Sequence, residues 1–400
     1  MKRSSLPLGV QVGLFTLIRI VINTSYRMVY PFFSFFQGGL GVSLPAFSLV
    51  LTLRSFSGVV GPLLAPLTDR YGRRPAMLAG LGMFVLGSGL IALMPRYGSF
   101  LVGLFLMASA YQIFLPAMQA FLGDRVVYTE RGRVMGLTEL GWSLSFILGI
   151  PAVGWLVERV RIWWAPFVVF ALVGIVLLGL LWWLVPRDPP GERHSASTSR
   201  LQVQALLHSP HVLIGLAMGL ALTSANEMVN LVFGLWLESQ FALQLAALGA
   251  ASVVIGASEL LGESVSALWV DRLGKERAVA VGIVLNSLAA VGLFLLGKTI
   301  TGALIGLFLF YLTFEFALVS FLPLMSGTFP ALRATVMAGT IAAFSLGRAV
   351  GAVLGPLTYG LGFGVNLGVA ILFNTLALMA LRRVHVAELM PEVPEVGGEG

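Results

Sequence analysis

The sequence predicts an all-α integral membrane protein of twelve transmembrane helices in two six-helix, pseudo-symmetric halves. Three observations carry that prediction. Of 400 residues, 58% are hydrophobic and 11% charged, with a mean hydropathy of +0.93. The apolar residues fall into twelve runs of about 20, the length that crosses a bilayer as a helix. Two short motifs recur at one offset, once in each half.

The composition excludes an ordinary soluble fold. A soluble domain carries about 25% charged residues. A chain with 11% has too few to cover its exterior, so lipid must solvate much of it. The net charge is +7, but the basic residues sit in short loops rather than along one face. That pattern orients helices in a membrane and gives no footprint for a nucleic acid. There is no cysteine, which excludes disulfides, thiolate metal sites and cysteine nucleophiles. His194, His208, His211 and His385 lie in or beside polar segments and form no spaced pair on a helix, so no metal is expected. No Gly-rich loop ends in Gly-Lys-Ser/Thr, which argues against an ATP-driven pump. No cofactor is expected.

The twelve spans read as 12–36, 46–66, 76–94, 99–121, 134–157, 163–185, 211–236, 246–269, 278–297, 301–323, 335–357 and 361–381. The first is interrupted by Arg19 and Arg27. It reads as a helix and not a cleaved signal, because no small-residue cleavage site follows it. Placing the N-terminus in the cytoplasm tests the count. Lys2, Arg3, Arg70, Arg73, Arg74, Arg125, Arg131, Arg133, Arg187, Arg193, Arg200, Arg272, Lys275, Arg277, Arg333, Arg382 and Arg383 are then inside, 17 in all. Only Arg96, Arg159, Arg161 and Lys298 are outside. Losing one span would scramble this asymmetry, so the rule supports twelve spans, both termini cytoplasmic and a cell-membrane location. Residues 1–185 and 211–383 form the halves. The Pro-, Ser- and charge-rich 186–210 reads as a cytoplasmic linker, and 384–400 as a flexible tail.

Asp69-Arg70-Tyr71-Gly72-Arg73 follows the second span, and Asp271-Arg272-Leu273-Gly274-Lys275 follows the eighth, 202 residues on. Arg131-Gly132-Arg133-Val134-Met135 and Arg333-Ala334-Thr335-Val336-Met337 precede the fifth and eleventh at the same offset. Two like-oriented six-span repeats are a transporter architecture, with the substrate site near the midplane between them.

The stretch Ala65-Pro66-Leu67-Thr68-Asp69-Arg70-Tyr71-Gly72-Arg73-Arg74 resembles the signature between the second and third helices of the major facilitator superfamily. That signature runs glycine, any, leucine, small, aspartate, arginine, any, glycine, arginine, basic. Its weaker copy begins at Ala267, and both copies have alanine at the first position. The span count, linker and repeat extend the resemblance over essentially the whole chain. The glycines Gly72 and Gly274 permit a sharp turn. Asp69 suits a helix N-terminus, where negative charge is favoured. Arg73 is within reach of Asp124 at the end of the fourth span. The resemblance implies a cytoplasmic gate built from Asp69, Arg70, Gly72, Arg73, Asp124, Asp271, Arg272 and Gly274. The alternative is that these arginines only set topology. Two features depart from relatives. The fourth span lacks the arginine common in proton-coupled members. The fifth carries Gly149-Ile150-Pro151-Ala152-Val153-Gly154, only similar to the Gly-Pro signature of drug exporters, while Gly351-Ala352-Val353-Leu354-Gly355-Pro356 in the eleventh is closer.

A charge at mid-membrane costs roughly 2.5–3.5 kcal/mol or more, so each needs a reason. Arg19, Arg27, Arg54, Glu139, Glu227, Glu259, Glu263, Glu315 and Arg348 fall on spans 1, 2, 5, 7, 8, 10 and 11. None falls on spans 3, 6, 9 or 12, which the resemblance places against lipid. Arg19, Asn23 and Arg27 share one face of span 1. Asn226 and Asn230 flank Glu227 on span 7. Three readings follow. The arginine face binds an anionic group. The carboxylates carry protons, since a carboxyl removed from water holds its proton more readily. Or arginines and glutamates pair across the two halves. Glu227 and Glu259 are the first candidates for coupling, Glu263 for the gate, and Arg54 with Glu139 for a structural pair. Tyr26, Tyr30, Tyr111, Trp142 and Tyr311 are candidate cavity aromatics. Trp163, Trp164, Trp182 and Trp183 suit an interfacial belt.

The expected function is secondary active transport of a small solute by alternating access, as a proton-coupled antiporter exporting amphipathic molecules. An organic-anion, sugar or lysolipid carrier is the alternative, and a non-transporting receptor or scaffold the rival from another class. An enzyme is disfavoured: no span carries an aspartate, and none a histidine inside its ends. Protons, a small molecule and the bilayer are the expected partners, and a monomer the expected state.

Overall fold

The computed structural model describes residues 7–186, 208–328 and 332–384. The predicted linker, apart from its ends, and the predicted tail beyond Val384 lie outside them. Among the described residues, eleven helices are long and apolar enough to span a membrane. The helix Leu44–Tyr71 supplies the twelfth. At 28 residues it extends about 42 Å, well beyond the roughly 30 Å hydrocarbon layer.

Span 1 differs from the single run expected over 12–36. It comprises Leu8–Arg27 and a short helix Phe33–Leu40, which is bent 113° from span 2. Pro31 lacks a backbone N–H and disfavours helix at the residue before it, so the chain tightens there and Tyr30 N–H bonds back only to Arg27 O. Span 7 breaks at the corresponding place, giving Pro210–Asn230 and Phe233–Phe241 where 211–236 was expected. Both short helices end on a left-handed residue, Gly41 and Ala242. The repeat seen in the sequence is thus also a repeat of backbone irregularities.

Spans 3, 4 and 6 are Arg73–Leu93, Tyr97–Gly123 and Ala165–Leu184. Span 5 runs Tyr128–Leu144, a π-helical turn Ser145–Gly149, then Ile150–Val160. The π turn lies just before Pro151, which cannot donate an i→i−4 bond. Span 8 is Leu245–Leu273, span 9 Lys275–Leu296 and span 10 Ile300–Thr328. Span 11 is Arg333–Tyr359 and span 12 Phe363–Leu381.

With an even number of spans, both ends of the described chain lie at one end of the bundle, here the basal end. His211 at the start of span 7 is within 3.2 Å of the Arg383 carbonyl at the end of span 12, as this topology requires. The halves meet through spans 2 and 11 and spans 5 and 8. At the opposite, apical end the approach is close enough to need glycine. A Cβ on Gly154 would lie 2.8 Å from the Leu245 carbonyl, and Gly249 lies under it. A Cβ on Gly234 would lie 2.5 Å from the Tyr30 carbonyl. Glu158 adds a polar tie: its Oε2 accepts the amide N–H of Ala246 at 2.6 Å, in the first turn of span 8.

The outer spans are held by buried amides. Asn374 on span 12 donates to Asn286 Oδ1 on span 9, and Asn286 donates to Phe310 O on span 10. Such pairs satisfy polar groups that lipid cannot. Trp182 and Trp183 are exposed at the basal end, where a belt was expected. Trp163 instead packs edge-on against Phe100 at the apical end.

Candidate functional site

The site begins with span 1 and span 5. Gly141 lets the two backbones approach, since a Cβ there would lie 2.8 Å from Arg19 Cβ. Gly149 does the same farther up, against Thr24. At that distance the face predicted from sequence meets span 5 carbonyls one after another. Arg19 donates to Thr138 O at 2.9 Å, Asn23 to Gly141 O at 3.1 Å and Arg27 to Trp142 O at 3.1 Å.

Both span 1 arginines also have carboxylates. Arg19 lies 2.8 Å from Glu139, so the expected Arg54–Glu139 pair does not form; Glu139 faces span 1 and not span 2. Arg27 donates to Glu259 of span 8, across the two halves, with its guanidinium over the rings of Trp142 and Phe146. Both residues of that pair are buried. Arg54 has a different role. It is fully buried, donates to Tyr26 O at 2.7 Å and to the Tyr30 hydroxyl at 2.9 Å, and lies over the Tyr26 ring.

Glu227 is buried at the break of span 7 and accepts from Asn230 at 3.1 Å. It faces Arg348, Arg54 and Tyr30. Tyr311 of span 10 donates to Asn230 Oδ1 at 2.9 Å. This chain of side chains closes the middle of the bundle toward the apical end.

Below it lies a cavity of about 460 Å³ between the halves, within the roughly 300–1,000 Å³ usual for small-molecule sites. Of the twelve residues predicted for the pathway, Arg19, Arg27, Glu139, Asn226, Asn230, Glu259, Glu263, Glu315 and Arg348 line it. Asn23, Arg54 and Glu227 stand behind the wall. On the basal side of the cavity the Glu139 side chain is 42% exposed. Glu263, a pathway residue for which the gate was the alternative, lines the cavity. Its neighbour on span 10 is Glu315, brought close because Gly262 has no side chain: a Cβ there would lie 2.8 Å from Glu315 Cβ. Among the described residues, neither Glu263 nor Glu315 has a hydrogen bond or ion pair. All five aromatics expected at a cavity, Tyr26, Tyr30, Tyr111, Trp142 and Tyr311, line it.

Sequence reasoning missed the apolar wall of Phe314, Leu318, Val319 and Leu322. Ordinary apolar residues in a membrane span carry no signal of which face they present. It also missed Glu158, which lies in the last turn of span 5, one residue beyond the predicted span.

At the basal end, Gly72 and Gly274 adopt φ of +97° and +80°, the region only glycine enters freely. Each ends one helix and starts the next. Arg73 lies 3.5 Å from Asp124, the contact expected of the gate. Asp271 and Arg272 are exposed in the last turn of span 8. Asp69 and Arg70 lie in the last turn of span 2, and their side chains are outside the described residues. No cluster of metal-binding side chains occurs among the described residues.

Comparison with known proteins agrees with this geometry. A 90-residue stretch, 22% of each chain, is 46% identical to the MFS-type transporter YwfA of Bacillus subtilis; that match spans under a quarter of the relative's length. Multidrug resistance protein 2 of the same organism is 22% identical over 362 residues, covering 84% of this chain and 88% of its own. A solved D-xylose–proton symporter superposes with a TM-score of 0.76 at 14% identity, covering 94% of this chain and 97% of that one. Residues 15–356 match the profile of the Major Facilitator Superfamily. With eleven to twelve spans among the described residues and a polar cavity between them, the chain belongs to that superfamily and is a membrane transporter of small molecules, not an enzyme.

Proposed function

We propose that this transporter exports amphipathic small molecules in exchange for protons, from a cell membrane in which both termini face the cytoplasm. In that orientation the cavity opens inward and the apical contacts close the outer side.

The observation that carries the reading is the pair Glu263 and Glu315. They line the cavity without a hydrogen bond or ion pair among the described residues, and the apolar wall runs along span 10 beside Glu315. A carboxyl in that position has two ways to avoid a bare buried charge: hold a proton, or face a cation. Exchange of one for the other is what an antiporter needs. Arg19 and Arg27 are already matched by Glu139 and Glu259, which favours this over an anion carrier built on the span 1 face. The likeness to Multidrug resistance protein 2 supports export, and the apolar wall of Phe314, Leu318 and Leu322 suits an amphipathic cargo.

The test is proton release from purified protein on addition of amphipathic amines, sugars and nucleosides in turn, followed with a pH dye. Amines should release protons from the wild type. Glu263→Gln with Glu315→Gln should abolish the release and leave the fold intact by thermal melting. Proton uptake, rather than release, on addition of sugars or nucleosides would replace the export reading with a symport one.

A further inference from the structure

The charges around the cavity are not evenly spread. Arg54 and Arg348 gather with the single carboxylate Glu227 at the midplane, beside Tyr26, Tyr30 and Tyr111. Glu259, Glu263 and Glu315 gather with the single arginine Arg27 on the wall formed by spans 8 and 10. Arg19 and Glu139 balance each other. With every carboxylate ionised, the first group carries a surplus positive charge and the second a surplus negative one.

Each cluster also holds a charged group that reaches the cavity without a hydrogen bond or ion pair of its own. Arg348 lines it and has no hydrogen bond or ion pair among the described residues. Glu315 lines it at 6% exposure, equally unbonded. Asn226, 8% exposed, also lines it, and its Oδ1 is buried without a hydrogen-bond partner. Three polar side chains, two of them more than nine-tenths buried, are thus turned to the same space from spans 7, 10 and 11. A buried polar group left unpaired is costly, and the cost is removed by a ligand that supplies the partner.

We infer that the preferred cargo is zwitterionic: an amphipathic molecule with an ammonium group for Glu315 and Glu263 and a separate carboxylate for Arg348. Tyr26 and Tyr111 supply hydroxyls beside Arg348, and the apolar body lies against Phe314 and Leu318. The inference rests on the cavity being the transport site and adds the charge pattern of what occupies it. A purely cationic amphiphile leaves Arg348 unmatched; a purely anionic one leaves both carboxylates unmatched. Each therefore binds more weakly than the molecule that carries both charges.

Three forms of one probe decide it: naphthylalanine, its methyl ester, which is only cationic, and its N-acetyl derivative, which is only anionic. Binding to the full-length protein in detergent is read from thermal stabilisation. The zwitterion should bind about ten- to a hundredfold more tightly than either blocked form, the ratio expected for one charged hydrogen-bonding group. Arg348→Gln should erase its advantage over the ester while Arg348→Lys keeps part of it. Glu315→Gln should erase its advantage over the N-acetyl form. The wild-type ranking needs no variant and stands even if one fails to fold. Equal binding of ester and zwitterion, a preference that survives Arg348→Gln, or no binding by any form overturns the inference. Proton release is a separate readout: a zwitterion preference without release would sink the exchange reading and keep this one.

Discussion

Arg27 of span 1 and Glu259 of span 8 form a buried ion pair that joins the two halves at the middle of the bundle. Under the proposed alternating-access cycle the halves part at this level when the apical side opens, so the pair would hold only the arrangement seen here. Glu259→Gln keeps the shape and removes the charge, and it should shift the population toward the apically open state. The chain has no cysteine, so spin labels at Arg133→Cys and Arg333→Cys report basal separation without background. Their distance should shorten. Arg27→Ala strands a buried carboxylate and should cost about 3–5 kcal/mol in unfolding free energy.

Arg54 should tolerate no replacement by lysine. Its two donors reach Tyr26 O and the Tyr30 hydroxyl while the plane lies over the Tyr26 ring. A lysine is a point charge without that fork. Arg54→Lys and Arg54→Met should both lower the melting temperature. The lysine should be the worse, because it keeps a buried charge and loses the geometry.

Gly154 should control apical closure. Gly154→Leu forces bulk against Leu245 O and Gly249. Overpacking of about 1–3 kcal/mol would then weigh on the closed apical side alone. The variant should fold, bind its cargo weakly from the basal side and fail to transport, with the spin-label distance shortened as for Glu259→Gln.

Glu158 should act at the same place through charge. Its carboxylate meets the first-turn amide of span 8, where a negative group contributes roughly 0.3–1 kcal/mol and more when partly buried. Glu158→Gln should weaken closure slightly and Glu158→Ala clearly. Raising salt should reduce the difference between wild type and Glu158→Gln, since the charge term is screened.

Gly274 should resist even alanine. Nothing lies within 4 Å of a Cβ added there, so contacts are not the obstacle. The backbone is: φ of +80° strains any side chain by roughly 1–3 kcal/mol. A drop in melting temperature for Gly274→Ala, matched by Gly72→Ala at φ +97°, would confirm that both motif glycines serve the turn.

The sequence by itself determined the membrane spans, the repeated motifs and which spans carry charges. Each of these is a one-dimensional consequence of the bilayer: a helix must be about 20 apolar residues long, and a charge within it is visible because it is expensive. The face of Arg19, Asn23 and Arg27 was legible because helix geometry fixes it. Pairing was not. Glu139 lies 120 residues from Arg19 and Glu259 lies 232 residues from Arg27, and no local rule connects them. Which carboxylates would be matched depended on how glycines at 141, 149 and 262 let helices approach. Pro31 marks the break in span 1, but no such residue marks the break in span 7. Only the tertiary structure could leave Glu263, Glu315 and Arg348 facing one cavity without partners. A membrane-buried charge is tolerated when another element or water satisfies it, and which element does so is settled only when the helices meet.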